Sequence, residues 1–160
     1  MSQPTKSNAG VVVVDANIFI SICSQEPSAL TARAALADYT TRNWAFYAPG
    51  VIFSEVLFAL CRKLQDSVID AAAHQKAVED FHLSFVPALA PPPNGDAALV
   101  LRAEEIRQGY SCLSSADAFY IALCEMLAQS GAAELLTFDK RLVNLAANNS
   151  PTVMVNLLPS

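Results

Sequence analysis

Short apolar strands alternating with helical stretches predict an α/β fold, a three-layer α/β/α sandwich built on a short parallel sheet. Three observations predict it. Val11–Val14 is an unbroken β-branched run, the composition of a strand covered on both faces. The later strand candidates are separated by helix-period segments, which suits right-handed crossovers between parallel strands. The length of 160 residues, 53% of them hydrophobic, fills one core and is cramped for two. Residues 1–160 therefore read as one domain, with 1–10 as a flexible polar tail.

In order along the chain, Asp15 ends the first strand and Ala16–Ser24 reads as a short helix. Pro27 and Ser28 precede a helical stretch over Ala29–Thr40. Trp44–Ala48 is the next strand, broken by Pro49-Gly50. Val51–Leu64 carries apolar residues at Val51, Val56, Leu57, Leu60 and Leu64, close to helical period. Ser67–Phe85 reads as helix, and Pro87–Pro93 with Asn94-Gly95 as a loop. Two helices are expected at Asp96–Gln108 and Ser115–Gln129, with Gly109 and Gly131 as C-caps. Leu135–Phe138 is a strand, Lys140–Ala147 a short helix and Val153–Leu157 a last strand.

Composition narrows the function. High hydrophobicity with only 16% charged residues argues against disorder, and the mean hydropathy of +0.33 points to an apolar surface reserved for a partner. No apolar stretch approaches the roughly 18 residues of a membrane span. The start, MSQPTKSNAG, lacks a signal-peptide pattern, so a cytoplasmic location is expected. The net charge of −5 disfavours a protein whose main task is holding nucleic acid by neutralising phosphates. Bound nucleic acid then requires a local patch or metal ions. Only Arg62-Lys63 and Lys140-Arg141 are adjacent basic pairs, candidates for RNA contact or simply solvated helix faces. Cys23, Cys61, Cys112 and Cys124 form no CxxC pair, and with His74 and His82 they give little support for zinc. Lying among apolar residues, all four read as buried reduced thiols.

Most acids lie in polar helical stretches. Asp15, Glu55, Asp117 and Asp139 do not. An isolated carboxylate against a core is costly unless a cation or hydrogen bonds compensate it. Each has a structural reading: Asp15 and Asp139 as helix N-caps, Glu55 as an acid favoured by a helix start, Asp117 as part of the Ser114-x-x-Asp117 capping box. Together they say more. Asp15 and Asp139 follow strands, while Glu55 and Asp117 fall in first helical turns, and ligand crevices in open α/β sheets lie at that edge. Four carboxylates in one crevice need a cation to stay ionised. Oxygen ligands without soft competitors suit one or two Mg²⁺ or Mn²⁺ ions, which lower the pKa of a bound water and neutralise charge on a phosphodiester.

The set resembles the PIN-domain ribonucleases, which include the VapC-type toxins. The resemblance rests on Val11–Asp15-Ala16-Asn17, Glu55 in the helix after the second strand, Ser115-Ala116-Asp117-Ala118 opening a late helix, and Thr137-Phe138-Asp139 after a strand. It spans Val11 to Leu157. It implies a metal-dependent endoribonuclease in which Asp15, Glu55, Asp117 and Asp139 are catalytic and hold Mg²⁺ or Mn²⁺, and Asn17, Ser115 and Thr137 orient carboxylates or waters. Cleavage would leave a 5′-phosphate and a 3′-hydroxyl. It further implies a homodimer and, for toxin members, a small antitoxin whose basic segment masks the acidic site. The Pro87–Gly95 loop and the Ala-rich helices depart from the toxin pattern. A haloacid-dehalogenase phosphatase is disfavoured because Asn17 stands where its second Asp belongs, and a receiver domain because its acid and lysine positions are not matched. A silent PIN-like module that binds metal or a partner without cleaving is the alternative.

Overall fold

The computed structural model describes residues 9–112 and 116–160. Its elements are β1 (Gly10–Val14), α1 (Ala16–Cys23), α2 (Ala29–Thr41), β2 (Trp44–Tyr47), α3 (Val51–Gln65), α4 (Ala71–Asp80), β3 (Leu89–Ala90), α5 (Val100–Gln108), α6 (Asp117–Ala128), β4 (Ala133–Thr137), α7 (Lys140–Asn149) and β5 (Met154–Leu157). The five strands form one sheet in the order β3-β2-β1-β4-β5, with every pair parallel. The expected α/β sandwich is the observed class. The valine run becomes the central strand: Val12, Val13 and Val14 are completely buried, as covering both sheet faces requires. Val11 sits in register with Ala45 on one side and Ala133 on the other. Gly10 opens the strand because the Trp44 ring lies against it; a Cβ there would come within 2.5 Å of the indole.

The helices cover the sheet through apolar faces. α6 packs on β1 and β4 with Ala118, Tyr120, Ile121, Leu123 and Cys124 buried. α1 packs against α2, α3 and α4. Phe19 of α1 meets Phe81 and Phe85 at ring-centroid distances of 5.8 and 5.0 Å. Polar fastenings complete the packing. Glu125 of α6 accepts from Arg102 Nε at 2.8 Å and from the Ser150 hydroxyl, while Arg102 also donates to the Asn149 carbonyl. α5, α6 and the end of α7 are joined by that one carboxylate. Among the described residues no helix is long and apolar enough to cross a membrane.

Six expectations need correction. The helix expected over Ser67–Phe85 begins at Ala71, because Ser67 adopts φ +56° and the Asp70 carboxylate caps the helix by accepting from the Ala73 amide at 2.8 Å. Phe81–Phe85 then continues as a π-helical turn. The Pro-rich stretch is not all loop: Leu89–Ala90 adds a fifth strand beside β2, too short to show a period. The first four residues of Asp96–Gln108 form a 3₁₀ turn. Gly109 has φ −64° and does not act as a left-handed cap; the positive-φ positions are Ser111 and Cys112. Cys23 and Cys124 are buried as expected, but Cys61 and Cys112 are exposed and all four are free. Cys61 has apolar sequence neighbours yet lies on the outward stripe of α3, since adjacent helical residues face different directions. Of the expected tail, Gly10 already belongs to β1, and residues 1–8 lie outside the described residues.

Candidate active site

The strand order reverses between β1 and β4: β2 and β3 lie to one side of β1, β4 and β5 to the other. Such a reversal opens a crevice at the carboxyl ends of the two strands. Asp15 leaves β1 at this point and Asp139 follows β4 by two residues. Two helices bring the other acids. α3 is anchored at its start by Asp96, which accepts from the Gly50 amide at 2.6 Å, and it carries Glu55 in its second turn rather than the first. Asp117 is the first residue of α6.

Asp15, 9% exposed, marks the floor. It occupies the N-cap position of α1, but its side chain makes no cap hydrogen bond. The carboxylate instead accepts from the Thr137 hydroxyl at 2.6 Å. That hydroxyl also accepts from Asn17 Nδ2 at 3.1 Å and from the Asp139 amide at 2.9 Å. One donor and two lone pairs are thus all used. Asn17 Oδ1 accepts in turn from the Phe138 amide. Thr137 and Asn17 therefore stitch the ends of β1 and β4 together. Ser115 lies outside the described residues.

The electrostatics show which acids share the space. Burial pushes the Asp15 carboxyl up to about 7, partly offset by the Thr137 hydrogen bond and raised further by the charges of Glu55 and Asp117. Glu55 is raised as well, first by burial and also by Asp117, against the lowering effect of its hydrogen bond from Tyr120. Asp15, Glu55 and Asp117 thus repel one another in a single region. Asp139 sits at its rim, where its carboxylate caps α7 by accepting from the Arg141 amide at 2.7 Å, as the helix-cap reading required. The Arg141 guanidinium spans the rim, 3.4 Å from Asp117 and 3.6 Å from Asp139. Ser114, the cap residue of the capping-box reading, lies outside the described residues; Asp117 itself opens α6.

The donor set fits a hard divalent cation: oxygen atoms from several carboxylates, one of them raised first by its burial and further by the charges of two others. Even so, among the described residues no three His, Cys, Asp or Glu side chains are arranged as a ready-made metal cage. Of the basic candidates, Arg141 reaches the site and Lys140 is exposed beside it. Arg62 and Lys63 do not reach it: they lie about 10 Å along α3 from Glu55, at 1.5 Å per residue, and pair with Asp66 and Glu26. One residue escaped the sequence reading. Tyr120, fully buried, donates its hydroxyl to Glu55 Oε2 at 2.6 Å. Its i, i+3 spacing from Asp117 placed it on the same helix face, a signal hidden by the apolar run around it.

Comparison with solved structures gives the same architecture. A chain from the crystal structure of VapBC2 from Rickettsia felis, bound to a DNA fragment from their promoter, aligns with a TM-score of 0.59 at 13% identity, covering 92% of this chain and 98% of that one. PAE2754 from Pyrobaculum aerophilum aligns with a TM-score of 0.52 at 19% identity, covering 95% and 92%. No curated protein matches the sequence. The family model of the PIN domain matches residues 12–148, a span that runs from the central strand through α7 and includes all four acids. The chain belongs to the PIN domain family.

Proposed function

We propose that this chain is a metal-dependent endoribonuclease and the toxin of a toxin–antitoxin pair. The observation that carries the reading is the convergence of Asp15, Glu55 and Asp117 where the strand order reverses, with Asp15 driven up to about 7 by burial and by the other two. PIN domains generally act as metal-dependent nucleases, and nothing in the donor set departs from that chemistry. Asp15, Glu55, Asp117 and Asp139 would hold one or two Mg²⁺ or Mn²⁺ ions. A bound divalent cation supplies a water of lowered pKa and neutralises charge developing on the phosphodiester.

The protein's own groups prepare the site. Thr137 holds Asp15 in one orientation, and Asn17 fixes Thr137. Arg141, whose side chain is 65% exposed, is placed to exchange its carboxylate partners for a phosphate of the substrate, with Lys140 beside it. Hydrolysis adds water to phosphorus and breaks the P–O3′ bond, leaving a 5′-phosphate and a 3′-hydroxyl. The structural relative taken from a VapBC complex supports an antitoxin partner, and the acidic crevice suits a basic segment of it. The exposed Phe53, Leu57 and Phe58 on α3 support a homodimer.

The test is RNA cleavage. Wild-type protein with Mn²⁺ or Mg²⁺ should cut RNA and leave 5′-phosphate ends; chelation and Asp15→Asn should each abolish it. Cleavage that persists under both treatments would sink the reading. The silent-module alternative draws on one observation, the absence of a ready-made cage among the described residues. It predicts no cleavage with either metal.

A further inference from the structure

α6 carries a buried phenol, that of Tyr120. The ring is fully buried between the helix and the sheet, where a phenol requires a hydrogen-bond partner. It finds Glu55 on α3, 65 residues away in sequence, and donates to Oε2 at 2.6 Å. The charges of both Glu55 and Asp15 bear on this hydroxyl, and the Ala16 backbone amide lies against both Tyr120 and Asp15. Tyr120 is thus seated between two of the proposed metal-holding carboxylates. Glu55 has three rotatable side-chain bonds, and Phe53, Leu57 and Phe58 beside it on α3 are exposed. Among the described residues Tyr120 is the one hydrogen-bond donor to this carboxylate, through Oε2, and Oε1 has no hydrogen-bond partner.

We infer that Tyr120 is a positioning residue: its hydroxyl clamps Oε2 of Glu55 and so orients a carboxylate that, with Asp15, would hold a divalent cation. The inference rests on the metal-dependent reading above. Groups that orient metal ligands in this way typically contribute 10- to 100-fold in metal affinity. A phenylalanine in the same place keeps the ring packing and removes the hydroxyl that makes the clamp.

The experiment compares wild type, Tyr120→Phe, Glu55→Gln and the double variant by Mn²⁺ titration of thermal stability, which reads binding to the folded state without requiring turnover. Tyr120→Phe should raise the Mn²⁺ concentration at half-effect about 10- to 100-fold. The double variant should be no worse than Glu55→Gln alone, because the clamp has nothing left to orient. RNA cleavage by Tyr120→Phe should recover at saturating Mn²⁺, so the defect lies in metal affinity rather than in the limiting rate. A purely packing role would lower the metal-free melting temperature and leave the Mn²⁺ half-point within twofold of wild type; that result, or additive effects in the double variant, overturns the inference and leaves the nuclease reading standing. A wild type that neither responds to Mn²⁺ nor cuts RNA overturns both.

Discussion

Thr137 donates its hydroxyl hydrogen to Asp15 at 2.6 Å across 122 residues of sequence, and the same oxygen takes protons from Asn17 and the Asp139 amide. A single buried atom thereby joins two of the four acids. Thr137→Val keeps the shape, removes the hydroxyl and strands two donors and a carboxylate. A loss of about 1–3 kcal/mol is expected from the unsatisfied groups. Urea denaturation checks it; a change within a few tenths would show that the hub is energetically idle.

Metal-free stability should fall as pH rises. The folded-state pKa of Asp15, about 7, lies above its ordinary value of 3.8, so the folded protein binds the proton more tightly than the unfolded chain. The associated stability is fully present below about pH 4 and is lost as pH climbs through about 7. Its upper bound is roughly 4 kcal/mol at 1.36 kcal/mol per pKa unit. Glu55 is shifted in the same direction and adds to the slope; Glu125, lowered first by its hydrogen bond from Arg102, works against it. Asp15→Asn removes the largest contribution. Melting temperatures of the two proteins without metal should therefore diverge from pH 5 to pH 8, with the variant the more stable at pH 8. Parallel curves would refute the assignment.

Salt dependence separates the basic residues. Each phosphate contact contributes about one to the slope of log affinity against log salt. Replacing Lys140 and Arg141 with alanine should flatten the slope of RNA binding by roughly one to two. Replacing Arg62 and Lys63, paired with Asp66 and Glu26 further along α3, should leave it unchanged. Equal effects from both pairs would place the RNA along α3 instead.

The outward face of α3 supplies the fourth prediction. Phe58 is 67% exposed and Leu57 45%. If this face joins two copies, Phe58→Glu should convert a dimer to a monomer in sedimentation while leaving the melting temperature of the single chain nearly unchanged. A dimer that survives the substitution uses another surface.

Much of this architecture was legible in the residues. The valine run gave the central strand because a run with no polar alternation has only one place in a sheet, and Asp15 and Asp139 were placed by the strands they follow. Glu55 and Asp117 were found as lone charges in apolar surroundings. What stayed hidden depends on partners distant in sequence. Leu89–Ala90 is a strand only because β2 offers it a neighbour. Tyr120 looked like core until Glu55, on another helix, gave its hydroxyl a partner. The exposure of Cys61 was hidden because sequence adjacency to apolar residues says little about which way a helical side chain points.

Of the five strands of the sheet, the central one comes first in the chain. β1 leaves the ribosome before its neighbour β4, and the acid that follows β4 is encoded more than a hundred residues after β1. Long-range parallel pairing of this kind closes late and slowly. A growing polypeptide therefore cannot bring Asp139 to the other carboxylates until β4 has been synthesised, and a fragment truncated before β4 is expected to be inert.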